Sequence, residues 1–163
     1  MRTLLLILTL TCWAGPGTLQ AASPNIVFIL ADDMGYGDLK AYNPASRIST
    51  PHLDRMAADG IVFTDAHSGG STCVPSRYSL LTGRFAARRN KLNWRGGPVI
   101  ARERLTFAGV LREQGYRTAM VGEWHLGFTM KSPGVFDYSR PLAGGPVDCV
   151  FDSYFGMPAS LDI

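Results

Sequence analysis

The apolar stretch NIVFILA, residues 25–31, restricts the fold of this chain more than any other feature. It is almost unbroken and rich in β-branched side chains, which is typical of a strand covered on both faces in a parallel sheet. Two more apolar stretches, residues 61–66 and residues 116–122, follow later in the chain. We predict a strand at each of the three.

Helices are predicted between these strands from their start and stop signals. Pro51 suits the first turn of one helix, with Thr50 as its cap and Gly60 as its end. A later helix is predicted from its cap, Thr106, to its stop at Gly115. Because strands alternate with helices, we expect an α/β fold with a mostly parallel, doubly wound sheet flanked by helices.

The first residues have the layout of a secretory signal peptide. Arg2 precedes an apolar run that begins at Leu4, and small residues close the segment at Ala22. The run is shorter than the roughly 20 residues of a membrane-spanning helix. We therefore predict a signal peptide at residues 1–22, a folded part at residues 23–163, an exported protein and no stable membrane anchor.

The charge of the chain argues against a nucleic-acid partner. Its net charge is only +3, whereas a nucleic-acid binder carries a concentrated basic stripe. A loose basic group is formed by Arg84, Arg88, Arg89, Lys91 and Arg95. It is interpreted either as a solvated face or as a contact to a polyanionic substrate.

Two consecutive acidic residues, Asp32 and Asp33, follow the first predicted strand. Inside a strand they would point to opposite faces, but Gly35 and Gly37 allow a sharp turn that brings both carboxylates to one point. Two close carboxylates suit a calcium or magnesium ion. The alternative is that Asp32 caps the loop while Asp33 is solvated.

The stretch CVPSRYSLLTGR, residues 73–84, predicts a helix that begins at or just after Cys73 and ends at Gly83. A helix N-terminus favours an anion, and Arg77 lies one turn on, where it can reach back over the thiol. This pattern suits a nucleophilic cysteine of lowered pKa. A cysteine packed in the core, or a disulfide with Cys149, stays open.

A third group of polar residues follows the last predicted strand, where Glu123 and His125 flank a tryptophan. Ligands of open α/β sheets bind at the carboxyl ends of the strands, so we expect these residues to converge with Cys73 and the acidic pair. His52 and His67 are interpreted as structural or solvated.

The pattern C-x-P-S-R followed by L-T-G-R at residues 73–84 resembles the signature of type I sulfatases, which are arylsulfatase-like enzymes of the alkaline phosphatase superfamily. The stretch NIVFILADDMGYGDL, from Asn25, is similar to the N-terminal metal motif of that family. The stretch YRTAMVGEWHLG, residues 116–127, is similar to its G-K-W-H-L-G block. The resemblance runs from Asn25 to the last residue.

The resemblance implies that Cys73 is oxidised to formylglycine by a sulfatase-maturing enzyme. One hydroxyl of the hydrated aldehyde attacks the sulfur of a sulfate ester and releases the alcohol, and the other then expels sulfate. It also implies a calcium ion, rather than magnesium, bound by Asp32, Asp33 and the side chain at Cys73. Arg77 would brace this group and His125 would hydrogen-bond the hydrate. The implied substrates are aryl sulfate esters or sulfated glycans.

Two departures from the family pattern change these expectations. The family has a sulfate-directed lysine where this chain has Glu123, so we expect impaired or altered turnover. The family's other site residues lie beyond Ile163, so this N-terminal part alone is expected to be inactive. The alternatives are a sulfatase-like binding protein and a formylglycine-dependent phosphonate or phosphodiester hydrolase. The implied location is the periplasm or the medium, or the lysosome or secretory pathway in a eukaryote.

Overall fold

The computed structural model describes residues 22–89, 92–149 and 151–159. Its helices are α1 (Pro51–Asp59), α2 (Cys73–Thr82), α3 (Phe107–Glu113) and α4 (Pro146–Cys149), and its strands are β1 (Ala119–Val121) and β2 (Ser153–Phe155). Short 3-10 helices lie at Tyr36–Asp38, Ala86–Arg88 and Trp94–Gly96. The predicted signal peptide lies outside the described residues except for Ala22. Within the described ranges, no helix has the length and apolar character needed to cross a membrane.

The two strands form a parallel sheet. They pair in the register Ala119 with Ser153, Met120 with Tyr154 and Val121 with Phe155. The connection between them contains α4, and α3 leads into β1. A parallel pair joined through a helix confirms the predicted α/β class. The strand predicted at residues 116–122 is also confirmed, whereas β2 was not predicted.

The other two predicted strands are wrong. Neither residues 25–31 nor residues 61–66 form a strand, and their apolar side chains are exposed, with Val27 and Ile61 each 83% accessible. An apolar pattern indicates that a segment is suited to burial. A strand, however, is stabilised by contacts and backbone hydrogen bonds with neighbouring strands. Residues 22–33 form a unit separate from the one that contains both observed strands.

The first helix has the predicted bounds but not the predicted side-chain cap at Thr50. It begins at Pro51 and ends at Gly60. Thr50 does not cap it through its side chain, and its hydroxyl donates to the Asp54 carboxylate at 3.2 Å. Leu53, Met56 and Ala57 have the sequence spacing of an apolar stripe, but no residue of this helix is buried and Met56 is 60% exposed.

The buried core joins α2 to the segments before and after the sheet. It contains Val74, Tyr78 and Leu81 of α2, Ala108 of α3, and Val99, Ile100, Trp124, Leu126, Phe128 and Phe151. The segment that follows β1 is buried almost continuously from Trp124 to Phe128. This core therefore brings α2 and the segment after β1 together.

The third helix has a complete N-terminal cap. The Thr106 hydroxyl accepts a hydrogen bond from the Gly109 backbone N–H at 3.0 Å. At the other end, Gly115 has a left-handed φ of 86° and its N–H donates to the Arg112 carbonyl at 2.9 Å. Both predicted helix boundaries are confirmed.

We expect Thr106→Val to lower the free energy of unfolding by about 1 kcal/mol, because the isosteric side chain keeps the packing but loses the cap. Urea unfolding followed by circular dichroism measures this change. The matched control is Thr72→Val, since Thr72 is the exposed N-cap of α2 and makes no side-chain cap bond. Equal losses for the two variants would contradict the capping role of Thr106.

Candidate active site

The second helix begins at Cys73, as the signature pattern predicts. Thr72 precedes it in an extended conformation, and the Ser76 N–H donates to the Thr72 carbonyl at 3.1 Å. The helix ends at Gly83, whose φ of 64° is left-handed and whose N–H donates to the Ser79 carbonyl at 2.9 Å. Cys73 is half-buried and packs against the core. Its thiol therefore lies in the first turn, where backbone N–H groups favour an anion.

Two serines of α2 hold the glycine loop that precedes it. The Ser76 hydroxyl donates to the Gly70 carbonyl at 2.8 Å, and the Ser79 hydroxyl donates to the Gly69 carbonyl at 3.1 Å. The glycines are needed for this approach, because a Cβ on Gly69 would lie 2.3 Å from Ser79 Cβ. The signature serine thus positions the loop beside Cys73, a role that spacing alone did not indicate.

The segment after β1 is fixed to the segment after β2 by backbone hydrogen bonds. The Gly122 N–H donates to Phe155 at 3.0 Å, and the Trp124 N–H donates to Met157 at 2.9 Å. The His125 N–H donates to Pro158 at 3.0 Å, which continues the pairing past the strand ends. These bonds hold residues 122–125 in one backbone conformation.

Glu123 lies between the side chains of Arg77 and His125. Its Oε2 accepts a hydrogen bond from Arg77 Nη2 at 2.5 Å, and its backbone carbonyl accepts one from Arg77 Nη1 at 2.8 Å. Its Oε1 lies 3.4 Å from His125 Nδ1. The side chain of Arg77 is only 11% exposed, that of Glu123 10% and that of His125 6%. They form a buried group of a cation, a carboxylate and an imidazole, which we call the Glu123 cluster.

Two aromatic residues border the Glu123 cluster. The Trp94 ring meets the His125 ring edge to face, with centroids 4.8 Å apart. The Tyr154 hydroxyl donates to the Met157 carbonyl at 2.6 Å. Burial, and next the Glu123 carboxylate, raise the pKa of Tyr154 to about 12, so this phenol stays neutral at physiological pH. Neither residue was singled out from the sequence, because their role depends on contacts between distant segments.

His125 is held in an unusual backbone conformation. Its φ is 53°, in the left-handed region that non-glycine residues seldom adopt, and the residue is 5% exposed. Such conformations persist where the surroundings over-determine them and cluster at functional sites. The site role of His125 stays a prediction.

The acidic pair belongs to the unit of residues 22–33. Asp33 has a left-handed φ of 52°, whereas Gly35 is extended with a φ of −77°, so the unusual backbone conformation lies at Asp33 and not at the glycine predicted to allow the turn. Both residues are exposed, and their hard carboxylate oxygens are of the kind that calcium binds. Within the described part of the chain, no three His, Cys, Asp or Glu residues group closely enough to hold a metal ion. The pair fits as two ligands of the six to eight that calcium takes, and convergence with Cys73 stays a prediction.

The remaining candidates are two histidines and two cysteines. His52 and His67 are exposed, and His67 Nε2 lies 2.7 Å from the Asp65 carboxylate. The alternative of a Cys73–Cys149 disulfide is wrong, because both thiols are free. Burial, and next Asp148, raise the pKa of the Cys149 thiol to about 11.

The loose basic group is divided in the structure. Arg88 and Arg95 are exposed, and the Arg95 guanidinium lies 5.2 Å from the Trp94 ring centre. Arg89 is half-buried, with its guanidinium 5.9 Å from the Tyr78 ring centre. Lys91 lies outside the described residues.

The chain matches a known family over most of its length. The family model described as Sulfatase covers residues 24–156. This chain belongs to the sulfatase family. The assignment agrees with the resemblance found in the signature around Cys73.

Several curated proteins are similar to this sulfatase chain. An N-acetylgalactosamine-6-O-sulfatase of Bacteroides thetaiotaomicron is 40% identical over 88% of this chain and 28% of its own length. Arylsulfatase G of Mus musculus is 45% identical over 90% of this chain and 26% of its own length. The chain therefore spans about a quarter of the length of the curated relatives it matches.

Solved structures agree on the fold. A structure from work on the metabolism of multiple glycosaminoglycans by Bacteroides thetaiotaomicron has a TM-score of 0.75 and 40% identity, and covers 85% of this chain and 29% of that one. The crystal structure of Ps i-CgsB has a TM-score of 0.68 and 29% identity, with the same two coverages. A structure of Ps i-CgsB in complex with k-i-k-neocarrahexaose has a TM-score of 0.62, 27% identity and covers 79% of this chain and 27% of that one.

Proposed function

We propose that this chain is the N-terminal part of an exported sulfuric ester hydrolase that acts on aryl or carbohydrate sulfate esters. The observation that carries the proposal is the position of Cys73 as the first residue of α2, inside the complete signature that ends in Leu81, Thr82, Gly83 and Arg84. A helix N-terminus suits an anionic sulfate group. Sulfated glycans are included among the proposed substrates because a similar protein is named N-acetylgalactosamine-6-O-sulfatase.

Formylglycine formed from Cys73 would supply the hydrated aldehyde that serves as the nucleophile. The residues of this chain would then bind and orient. Arg77 would offer positive charge beside the first turn of α2, and His125 would exchange a hydrogen bond with the hydrate. Asp32 and Asp33 would supply carboxylate oxygens to calcium. The proposed partner in maturation is an enzyme that reads the motif containing Pro75 and Arg77.

The test is mass spectrometry of the peptide that contains residue 73, after coexpression with a sulfatase-maturing enzyme. We expect a mass that corresponds to the loss of sulfur and two hydrogens and the gain of one oxygen, which is the change from cysteine to formylglycine. Arg77→Lys, which weakens the motif, is expected to reduce the modified fraction. The peptide that contains Cys149 is the internal control and should stay unmodified. An unmodified residue 73 in a soluble, folded chain would argue against the hydrolase.

A second candidate is a sulfatase-like protein that binds sulfate esters without turning them over efficiently. The observation that favours it is the 2.5 Å contact between the Glu123 carboxylate and Arg77. Glu123 stands at the position of the family's sulfate-directed lysine, so the cation of that lysine is missing. Its carboxylate also contacts a second cation, Arg77. Formylglycine formation without measurable hydrolysis, in a protein that carries all of the family's site residues, would support this candidate.

A further inference from the structure

We propose that the turn of residues 93–99, which we call the Trp94 turn, is a subsite for an anionic sugar unit. The substrate would then be a glycan that carries a second negative charge, and not a simple aryl sulfate. The inference deepens the proposed function and rests on it only for the sulfate ester that would bind at Cys73 and His125. The subsite itself would bind the neighbouring sugar of the same glycan.

The Trp94 turn lies against the segment that contains His125. The Trp94 ring meets the His125 ring edge to face, with centroids 4.8 Å apart. Further along the turn, the Val99 N–H donates to the Leu126 carbonyl at 2.8 Å. A sugar bound on this turn is therefore a neighbour of the residue that is predicted to contact the sulfate end.

The Trp94 turn borders a cavity whose walls suit a sugar. The cavity has a volume of about 250 Å³ and is lined by Arg89, Asn93, Gly96, Gly97, Pro98 and Val99. Sites for drug-sized ligands measure roughly 300–1,000 Å³, so this cavity fits a single small unit. The Asn93 amide both donates and accepts hydrogen bonds, as a sugar hydroxyl requires. Gly96 leaves space for this amide, because a Cβ on Gly96 would lie 3.0 Å from the Asn93 side-chain nitrogen.

Arg95 supplies the positive charge that would select an anionic sugar. It lies between two lining residues of the cavity, Asn93 and Gly96, and is exposed. Its guanidinium lies 5.2 Å from the centre of the Trp94 ring, and its carbonyl accepts a hydrogen bond from the Gly134 N–H at 3.1 Å. Contact with an aromatic ring restricts the positions of a guanidinium, while its N–H groups can still bind a carboxylate or a sulfate.

The charges around the cavity favour an anion. None of the six lining residues is acidic. Among the residues that the structure describes, no carboxylate lies within ion-pair distance of Arg95. A simple aryl sulfate has one anionic group, which the proposed site at Cys73 would already bind. A glycan with a carboxylate or a second sulfate on the next sugar has a further anion for Arg95.

The experiment is an NMR titration of the nitrogen-15-labelled full chain at constant ionic strength, with Cys73 unmodified. The first probe is an unsulfated disaccharide of glucuronic acid and N-acetylgalactosamine, the second is lactose with one sulfate ester, and neutral lactose is the control. We expect at least one anionic probe to bind at least fivefold more tightly than lactose. Comparison of the two probes identifies the preferred anion as carboxylate or sulfate. The Trp94 indole N–H, assigned by its absence from Trp94→Phe, should shift on binding, and that of buried Trp124, which donates to the Gly127 carbonyl, should shift less.

Two variants test whether Arg95 is the residue that selects the anion. Arg95→Gln should weaken binding of the preferred anionic probe at least fivefold and change the affinity for lactose less than twofold, because the side chain stays polar but loses its charge. The matched control is Arg88→Gln, which removes the same charge from another exposed position of the basic group and should change both affinities less than twofold.

Three results would overturn the inference. They are equal weakening by the two variants, anionic probes that bind no more tightly than lactose, and binding that leaves the Trp94 indole N–H unmoved. No probe is hydrolysed, because residue 73 stays a cysteine throughout. Failure of the proposed hydrolase would therefore appear separately, as an unmodified residue 73 after coexpression with a sulfatase-maturing enzyme.

Discussion

Arg77→Met is expected to lower the free energy of unfolding by roughly 3–5 kcal/mol, because it leaves the Glu123 carboxylate buried without the cation that now engages it. The carboxylate is only 10% exposed and cannot regain full hydration without moving. The two hydrogen bonds from Arg77 to residue 123 are lost as well. Urea unfolding of the full chain, followed by tryptophan fluorescence, measures the effect.

Two controls distinguish the stability lost by leaving a buried charge unpaired from the stability lost by removing the arginine side chain itself. The double variant Arg77→Met with Glu123→Met removes both charges and should recover most of the lost stability, since apolar pairs often replace buried ion pairs at no cost. Arg112→Met breaks a longer, exposed pair with Asp152, at 3.9 Å, and should change the midpoint little. A double variant as unstable as Arg77→Met would mean that packing of the arginine stem, and not charge, dominates.

Glu123→Lys is expected to destabilise the chain at least as much as Arg77→Met. It restores the lysine of the family pattern, but it places an ammonium group against the Arg77 guanidinium and beside His125. Two unit charges 4 Å apart interact by about 4 kcal/mol at an effective dielectric of 20, so attraction is replaced by repulsion of similar size. Movement of the flexible lysine stem will reduce this cost.

The informative measurement on this variant is its response to sulfate. An anion that binds two cations and only the folded state stabilises that state by mass action. We therefore expect about 20 mM sulfate, a concentration well above a Kd of about 1 mM, to raise the Tm of Glu123→Lys more than that of the unsubstituted chain. Sodium chloride at equal ionic strength controls for screening, and Glu103→Lys controls for added charge at an exposed position. Equal shifts in all three proteins would contradict a sulfate site at residue 123.

The comparison of these variants also bears on catalysis. From the sequence alone, Glu123 was expected to impair turnover because it repels sulfate. The structure adds that Glu123 engages Arg77 directly. A gain of arylsulfatase activity in Glu123→Lys, measured in a protein with all of the family's site residues, would then reflect the release of Arg77 as well as the new cation.

Helices could be predicted from the sequence because their boundary signals are local. Pro51, Gly83 and the Thr106 cap each act within one turn, and the structure places the helix ends where these residues indicate. The cap predicted at Thr50 is wrong, because the Thr50 hydroxyl is turned to the Asp54 carboxylate, to which it donates, and accepts no bond from the helix. The direction of a hydroxyl depends on side-chain conformation, which a residue pattern does not contain.

Strands were predicted less well because strand formation depends on distant partners. The apolar stretch at residues 25–31 has stronger strand character than Ser153–Phe155, yet only the latter is a strand. The short β2 forms because β1 lies beside it in register. The same dependence on distant partners explains why the contact between Arg77 and Glu123, which are 46 residues apart, was not predicted. Each of the two residues had been singled out by itself.

The backbone pairing that continues beyond β1 and β2 has a consequence for how such sites diverge. A Cβ on Gly156 would lie 1.8 Å from the Gly122 carbonyl, so the two segments approach each other at a point where neither carries a side chain. Residue 123 therefore lies on a backbone whose conformation does not depend on the side chain at that position. A lysine or a glutamate can therefore occupy this position on the same backbone, so the charge of the site can reverse without a change in the fold.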